Sequence, residues 1–194
     1  MKTRLLFSIA MLFATFAKAQ EKPLGLALND IAPNFTAKDQ YGKTVNLKAL
    51  LNKGPVVLLF YRGQWCPYCN KQLNELQDSL TYVTSKGATV VAVTPEQAEN
   101  ISKTIEKTKA SYSILFDEGL NIMKNYKVAF QIDAVTIEKY KEYGIDFNEA
   151  NGTNGANLPI PAVYIINKQG QISYRHFNPD YRKRPSVKEI AKNL

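Results

Sequence analysis

Histidine and cysteine are nearly absent from this 194-residue chain, which has one histidine and two cysteines. A closed structural zinc site takes about four cysteine or histidine ligands. Cys66, Cys69 and His176 cannot supply them from one copy of the chain, so no metal is expected. Covalent haem attachment requires a histidine directly after the second cysteine, where Asn70 stands. Two cysteines are also too few for a disulfide scaffold in a domain of this size.

Long apolar runs are rare, and the longest one lies at the N-terminus. Basic residues precede an uncharged, mostly apolar stretch over residues 5–17, which is too short to span a bilayer as a helix. Small residues then lead to an expected cleavage site after Ala19. We predict a signal peptide over residues 1–19 and a single domain over residues 20–194, with an uncleaved anchor as the alternative. The expected location is the bacterial periplasm or the outside of the cell, without stable membrane insertion after cleavage.

Acidic residues are fewer than basic ones, 17 against 25, which gives a net charge of +8. The basic surplus gathers at residues 175–184, which read RHFNPDYRKR. No long basic helix or nucleic-acid module accompanies this segment, so we interpret it as a solvated surface. No nucleic-acid partner is expected.

Strands and helices alternate through the middle of the chain. Continuous apolar runs over residues 54–61 and 88–93 are typical of strands buried on both faces. A hairpin is predicted over 34–47 and further strands at 112–116, 162–167 and 171–177. Helices are predicted from residue 67 to 87, from the capping-box pattern TPEQ at 94–97 to about 109, from Asp117 to about 128, over 134–144 and after Ser186, with a turn-rich loop over 148–161. This order predicts a three-layer α/β domain with a mixed central sheet.

The two cysteines lie between a buried strand and an amphipathic helix. Cys66 begins the helix, so its sulfur is expected at the positive end of the helix dipole, and Pro67 suits the first helical turn. A cysteine in such a motif commonly has its pKa lowered from about 8.5 to about 3.5–7.5. Cys69, one helical turn further on, is then positioned to attack whatever forms on Cys66. A purely structural disulfide would close a loop too short to stabilise the fold appreciably, so the pair indicates redox chemistry.

Arg62 and Trp65 precede the cysteine pair, and each has a structural and a functional interpretation. Arg62 would add positive charge near the Cys66 sulfur, or it is an ordinary surface arginine. Trp65 would shield that sulfur and form a docking surface, or it packs in the core.

Several segments resemble the peroxiredoxin-like branch of the AhpC/TSA family, within the thioredoxin-like superfamily. They are residues 28–47 (LNDIAPNFTAKDQYGKTVNL), 59–69 (LFYRGQWCPYC), 143–172 and 178–190. The resemblance covers nearly all of the chain after the signal peptide. It implies a thioredoxin fold with an N-terminal β-hairpin extension, no cofactor, and a Cys66 that attacks a peroxide or a disulfide. It also implies a cis peptide bond before Pro161, with a trans proline opening a strand as the alternative.

The active-site loop departs from the pattern of typical peroxiredoxins, which carry proline and threonine seven and three residues before the cysteine. Here Leu59 and Gly63 stand at those positions, and Pro161 stands where an arginine usually assists peroxide reduction. Arg62 is the nearby candidate to replace that charge. The motif CPYC is also that of glutaredoxins, which reduce disulfides.

Three functions remain open from the sequence. The first is a thiol peroxidase in which Cys66 reduces hydrogen peroxide or an organic hydroperoxide, Cys69 closes a disulfide, and a thioredoxin-like dithiol reduces it. The second is a thiol–disulfide oxidoreductase acting on exported proteins. The third is a non-catalytic redox sensor. All three use the Cys66–Cys69 pair, with Arg62, Gly63, Trp65, Pro67 and Pro161 as supporting residues.

Overall fold

A five-stranded mixed sheet forms the centre of the fold. The computed structural model describes residues 22–194, so the predicted signal peptide and its cleavage site lie outside the described residues. The strands are β1 Thr36–Lys38, β2 Thr44–Asn46, β3 Val56–Phe60, β4 Thr89–Thr94, β5 Ser113–Phe116, β6 Ala129–Gln131, β7 Asn157–Pro159, β8 Ala162–Ile166 and β9 Ile172–Phe177. In the central sheet their order is β5-β4-β3-β8-β9. Strands β3, β4 and β5 are parallel, β8 is antiparallel to β3, and β9 is antiparallel to β8.

Helices cover the sheet, and two short hairpins flank it. The first hairpin pairs β1 with β2, and the second pairs β6 with β7. The helices are α1 Leu47–Leu51, α2 Pro67–Asp78, α3 Leu80–Thr84, α4 Ala98–Thr108, α5 Asn121–Asn125, α6 Ala134–Glu142, α7 Phe147–Asn151 and α8 Val187–Lys192. Short 3-10 turns occupy Glu118–Leu120 and Gly152–Asn154.

The central strand β3 is buried on both faces, and its alternating side chains enter two separate apolar clusters. Val56, Leu58 and Phe60 pack with the β1–β2 hairpin and α5 on one side of the sheet. Val57 and Leu59 pack with α2, α4 and α8 on the other side. The predicted three-layer α/β architecture with an N-terminal hairpin is therefore confirmed, and it follows from a strand whose two faces are both apolar.

The helix predicted to begin at the TPEQ pattern starts later than expected. Thr94 is the last residue of β4 and pairs with Phe116, so it belongs to the sheet and does not cap a helix. Gln97 is the N-cap of α4, without a capping hydrogen bond from its side chain. The predicted capping box is therefore wrong. Because the residue before a proline favours extended backbone, Thr94 continues the strand up to Pro95, and Glu96 is left in the connection.

The segment predicted as a turn-rich loop over residues 148–161 contains regular structure. It holds most of α7, whose N-cap Asp146 accepts from the N–H groups of Asn148 and Glu149, and all of β7. The asparagines that suggested turns serve as hydrogen-bond donors to other parts of the backbone. Asn154 Nδ2, for example, donates to the carbonyls of Pro95 and Asp117. Composition alone did not distinguish these side-chain bonds from turns.

The peptide bond before Pro161 is trans, since no cis peptide bond occurs among residues 22–194. The expectation of a cis bond, drawn from the family resemblance, is wrong for this structure. Only Ile160 and Pro161 separate β7 from β8, and the Ile160 N–H donates to the Val128 carbonyl at 2.8 Å. The chain thus passes from one strand to the next in extended form, as the alternative of a trans proline before a strand required.

Candidate active site

The loop between β3 and α2 brings the two cysteines together inside the protein. Cys66 is the N-cap of α2, Pro67 is its first residue, and Cys69 lies one turn into it. Both cysteines are free thiols, exposed by 1% or less, and their sulfurs lie 2.6 Å apart. The Cys66 N–H donates to the Gly63 carbonyl at 3.1 Å, which closes the loop into a tight turn. The pair is therefore held at contact distance by local backbone structure.

Arg62 is a buried cation beside this pair. It is 5% exposed, so the interpretation as an ordinary surface arginine is wrong. Its guanidinium lies 4.9, 5.5 and 4.3 Å from the ring centroids of Trp65, Tyr140 and Tyr181, and it donates to the Tyr140 hydroxyl. No carboxylate among residues 22–194 forms an ion pair with it. Aromatic faces stabilise the cation without neutralising it, so its field reaches the thiols.

Arg184 is a second cation at the site, and the sequence did not indicate it. Its Nη2 lies 3.4 Å from the Cys69 sulfur, and its Nη1 donates to Gln72 Oε1 at 3.0 Å. Its Nε donates to the Tyr181 carbonyl at 2.8 Å, which holds the segment before α8 in place. The basic segment over residues 175–184 is therefore not uniformly a solvated surface. Arg184 lies 115 residues after Cys69, so no local pattern pointed to it.

The two thiols titrate very differently because they share one hydrogen bond. Burial by itself raises the pKa of Cys69, but the hydrogen bond with Cys66, the charge of Arg184, and the backbone N–H and charge of Arg62 lower it to about 6. The hydrogen bond to Cys69, burial and the Cys69 charge raise the pKa of Cys66 well above its ordinary value. The hydrogen bond between the sulfurs and the charges of Arg184 and Arg62 therefore stabilise one thiolate in the closed reduced pair.

Glu96 is a buried carboxyl behind the active-site loop, within the segment TPEQ that was predicted to form a capping box. It has no exposed surface, and its Oε2 accepts from the Gln64 N–H at 2.7 Å. A Cβ on Gly63 would lie 2.7 Å from Glu96 Oε1 and 2.8 Å from its Cδ, and it would also meet Trp65 Nε1. Such contacts do not occur in real structures, so Gly63 lacks a side chain because the carboxyl and the indole occupy that space. A threonine at this position, as in typical peroxiredoxins, would therefore require Glu96 or Trp65 to move.

Trp65 is half-buried and packs both against the apolar cluster that contains the two cysteines and against a second, smaller cluster. Its ring makes edge contacts with Tyr140 at 5.3 Å and with Phe147 at 5.9 Å between ring centroids. These residues form a small apolar cluster with Leu158 and Ile132. Of the two interpretations of Trp65, packing against the protein is what the structure shows.

Pro161 lies buried at the edge of an apolar cavity of about 700 Å³ next to the active-site loop. Arg62, Tyr140 and Tyr181 form its wall nearest the cysteines, and Phe130 and Ile160 line its apolar part. Such a cavity accepts an apolar chain or side chain. Its position places a bound molecule beside the loop that carries Cys66.

Residues 22–194 contain no group of three or more histidine, cysteine, aspartate or glutamate side chains placed to hold a metal ion. None of their helices is both long and apolar enough to cross a membrane.

A mixed sheet with a cysteine pair at the start of the helix after its central strand defines a protein of thioredoxin-like fold. The model of the AhpC/TSA family matches residues 28–175. The chain belongs to the AhpC/TSA family. The predicted family is therefore confirmed, and the fold that the resemblance implied is the fold observed.

The proteins similar to this chain include peroxiredoxins and thiol–disulfide oxidoreductases. The chain is 31% identical over 167 residues to the chloroplastic peroxiredoxin Q of Triticum aestivum, covering 84% of this chain and 66% of that protein. It is 23% identical over 180 residues to the thiol-disulfide oxidoreductase ResA of Bacillus cereus, covering 88% of this chain and 86% of that protein. Peroxidoxin BcpB from Mycobacterium tuberculosis superimposes with a TM-score of 0.62 at 20% identity, over 77% of this chain and 84% of that one. At that identity the structural match shows the fold alone.

Proposed function

We propose that this chain is a thiol-dependent peroxidase with an antioxidant role, which cycles Cys66 and Cys69 between dithiol and disulfide. The observation that carries the proposal is a buried pair of free thiols, 2.6 Å apart, beside the guanidinium groups of Arg184 and Arg62. Membership of the AhpC/TSA family and similarity to peroxiredoxin Q support it. The two arginines supply the positive charge that the usual peroxiredoxin arginine provides elsewhere.

In the proposed cycle Cys66 attacks and Cys69 resolves. Cys66 is the N-cap of α2 at the outer end of the pair, whereas Cys69 lies deeper against Arg184. Cys66 passes its proton to Cys69 across the hydrogen bond between the sulfurs and attacks as the thiolate. Its sulfur forms a bond to one peroxide oxygen as the O–O bond breaks, and the other oxygen takes a proton from solvent and leaves as alcohol or water. Cys69 then attacks the sulfenic acid, so that the S–S bond forms, the S–O bond breaks, and the hydroxyl group leaves as water with the proton of Cys69. A thioredoxin-like dithiol is the proposed reductant.

Peroxide reduction is tested by mixing the reduced protein, without residues 1–19, with hydrogen peroxide and with a bulky organic hydroperoxide in a stopped-flow instrument. We expect thiol loss much faster than that of free cysteine. Cys69→Ser should stop at the sulfenic acid on Cys66, and Cys66→Ser should not react. Oxidation no faster than that of free cysteine would reject peroxidase activity.

A second candidate, thiol–disulfide exchange with exported proteins, is favoured by one specific observation. The apolar cavity of about 700 Å³ beside Arg62 and Pro161 is large enough for a side chain of an extended polypeptide. The CPYC motif and the similarity to ResA also support it. A Cys69→Ser variant should then trap protein partners as mixed disulfides, while the Cys66→Ser/Cys69→Ser double variant should trap none. Equal recovery from both variants would exclude exchange.

We also propose that the protein is exported to the periplasm or secreted in a bacterium. The apolar run over residues 5–17 and the small residues before Gln20 support this proposal. In an oxidising compartment a dedicated dithiol has to keep the pair reduced. Mass spectrometry of the protein from fractionated cells should find Gln20 as the first residue, and an intact N-terminus in the cytoplasmic fraction would contradict export.

A further inference from the structure

Arg62 is a buried cation with unused hydrogen-bonding capacity. Its side chain is 5% exposed, and its Nε has no hydrogen-bond partner among residues 22–194. Its Nη2 donates to the hydroxyl of Tyr140, which is not a carboxylate. Buried charges are normally paired with an opposite charge, and buried donors with an acceptor. An arginine in this state therefore indicates that an anion belongs beside it.

The groups around the dithiol do not balance the charge of the two arginines there. None of the ion pairs among residues 22–194 involves Arg62 or Arg184. The buried Glu96 carboxyl accepts from the Gln64 N–H instead. The hydrogen-bonded pair of sulfurs stabilises one thiolate, and Arg184 Nη2 already lies 3.4 Å from the Cys69 sulfur. Two guanidinium groups therefore share one negative charge in the reduced site, and no thiolate remains once the disulfide has formed.

The aromatic rings around Arg62 favour one kind of anion. The central carbon of the guanidinium lies 4.9, 5.5 and 4.3 Å from the ring centroids of Trp65, Tyr140 and Tyr181. Rings in this position attract the cation but accept no strong hydrogen bonds from it. The N–H groups of a guanidinium point outward in its own plane, and their spacing matches the two oxygens of a carboxylate. A carboxylate therefore complements the hydrogen-bonding groups that the rings leave unpaired.

Arg62 also lines the apolar cavity of about 700 Å³ beside the active-site loop. This volume lies within the range of about 300–1,000 Å³ that is usual for small-molecule sites. The other charged residues of the wall, Lys22 and Asp133, are exposed, and the Asp133 carboxylate accepts from the Thr136 N–H and Oγ1 at 2.9 and 2.7 Å. Arg62 is thus the buried charge of a wall that is otherwise mostly apolar and includes Phe130, Ile132, Leu158, Ile160 and Phe177.

The backbone of the cavity wall favours a simple apolar chain over a peptide backbone as the occupant. An extended peptide binds along a strand through unpaired backbone N–H and C=O groups. Strands β6 and β7 pair with each other. The Ile132 N–H donates to the Ala156 carbonyl at 2.9 Å, and the Ile160 N–H donates to the Val128 carbonyl at 2.8 Å. Because these groups are paired within the protein, this wall offers a ligand mainly apolar side chains.

We propose that this cavity binds a free amphipathic carboxylate, a single apolar chain that ends in a carboxylate group. The carboxylate pairs with the Arg62 guanidinium, and the chain lies against Phe130 and Ile160. The site goes beyond the proposed redox cycle, because binding at equilibrium requires no step of that cycle and changes no covalent bond. A bound carboxylate competes with the dithiol for the charge of Arg62, so it is a ligand of the active site without being its substrate.

Isothermal titration calorimetry with decanoate tests the proposal. The reduced protein without residues 1–19 is used, because the apolar run over residues 5–17 would bind acyl chains by itself. Decanoate should bind about tenfold more tightly than decanol or decyltrimethylammonium, which have the same chain without the anion. From hexanoate to decanoate the affinity should rise about fourfold per methylene group. Equal binding of decanoate and decanol, or no binding of decanoate, would overturn the proposal.

Two arginine variants locate the carboxylate. Arg62→Met should lose about tenfold in affinity for decanoate and keep its affinity for decanol, which shows that the apolar cavity is intact. Arg182→Met removes an exposed arginine that pairs with Asp180, and it should bind decanoate like the wild type. An equal loss in both variants, or no loss in Arg62→Met, would overturn the proposal. If Arg62→Met does not fold, the comparison of decanoate with decanol on the wild type decides. No peroxide or disulfide is used, so the results do not depend on the proposed function.

Discussion

Two buried carboxyl groups follow neighbouring strands of the same sheet, and they differ in the number of hydrogen bonds that their oxygens accept. Asp117 comes directly after β5, and its two oxygens accept from the N–H groups of Ile122 and Met123 at 2.9 and 2.7 Å. Glu96 lies two residues beyond β4, and only one of its oxygens has a partner among residues 22–194. Burial raises the pKa of both carboxyls, while the backbone donors around Asp117 lower its pKa in turn.

The difference distinguishes Asp117, whose carboxylate has a structural role, from Glu96, whose carboxyl can change its protonation. Asp117 fixes the start of α5, because its carboxylate saturates two backbone donors that would otherwise lie buried without partners. Glu96 lies behind the active-site loop with one of its two oxygens unpaired among residues 22–194. A carboxyl with free hydrogen-bonding capacity can change protonation without breaking the fold. Four predictions address this contrast, beginning with the largest expected effect.

The stability of the wild type should fall with pH relative to Glu96→Gln. The Glu96 carboxyl has a pKa of 4.5 in the unfolded chain and of about 8 in the folded protein. Between these two pH values it keeps its proton only when the protein is folded. Its stabilising contribution is complete below pH 4.5 and is lost as pH rises to 8, by on the order of 4 kcal/mol. Urea unfolding at intervals between pH 5 and 8 measures it. The cysteines contribute equally to both proteins, so parallel profiles would contradict the prediction.

Asp117→Ala should destabilise the protein by about 3 kcal/mol, because it leaves two buried N–H groups of α5 without acceptors. The neighbouring Glu118→Ala, which removes an exposed carboxylate, should cost far less. Urea unfolding gives both values. A cost no larger than that of Glu118→Ala would contradict the structural role of Asp117.

Gly63→Ala should cost about 2 kcal/mol, because the added methyl group overlaps the Glu96 carboxyl and the Trp65 indole. The destabilisation should be smaller by about 1 kcal/mol in a Glu96→Ala background, because the carboxyl is removed and only the Trp65 indole still overlaps the methyl group. A double-mutant cycle by urea unfolding measures this coupling. Additive effects would show that the two residues do not compete for the same space.

Arg184→Met should raise the pKa of Cys69 by about one unit, which corresponds to about 1.4 kcal/mol. The guanidinium that favours the thiolate is removed, while Gln72 and the aliphatic packing remain. Ultraviolet thiolate absorbance as a function of pH measures the change. Arg182→Met is the control, because that arginine is exposed and pairs with Asp180. An unchanged Cys69 titration in Arg184→Met would show that Arg62 carries the effect.

The elements of the fold were predictable because each depends on local pattern. The run at residues 54–61 predicts a strand with two apolar faces, and it contains the central strand β3. The pair Cys66 and Cys69 was evident from spacing and from its place before a helix. Family resemblance pointed to Gly63 as a departure, but the side chains of Trp65 and Glu96 that crowd this position were not evident from the sequence.

The rest of the site depends on contacts between distant segments. Glu96 was assigned to a capping box because TPEQ fits one, yet the pairing of Thr94 in the sheet decided otherwise. Arg184 was part of a basic segment that suggested solvent, and only the packing of the chain before α8 brings it to Cys69.

The position of Trp65 gives the molecule an optical property that needs no label. It is the only tryptophan in the chain, it directly precedes Cys66, and its neighbours Tyr140 and Phe147 hold its ring at fixed angles. Thiolates and disulfides quench indole emission to different extents, and the Arg62 cation on the ring is a constant background. The fluorescence intensity of the protein should therefore report the oxidation state of the neighbouring sulfurs in real time, from a single emitter.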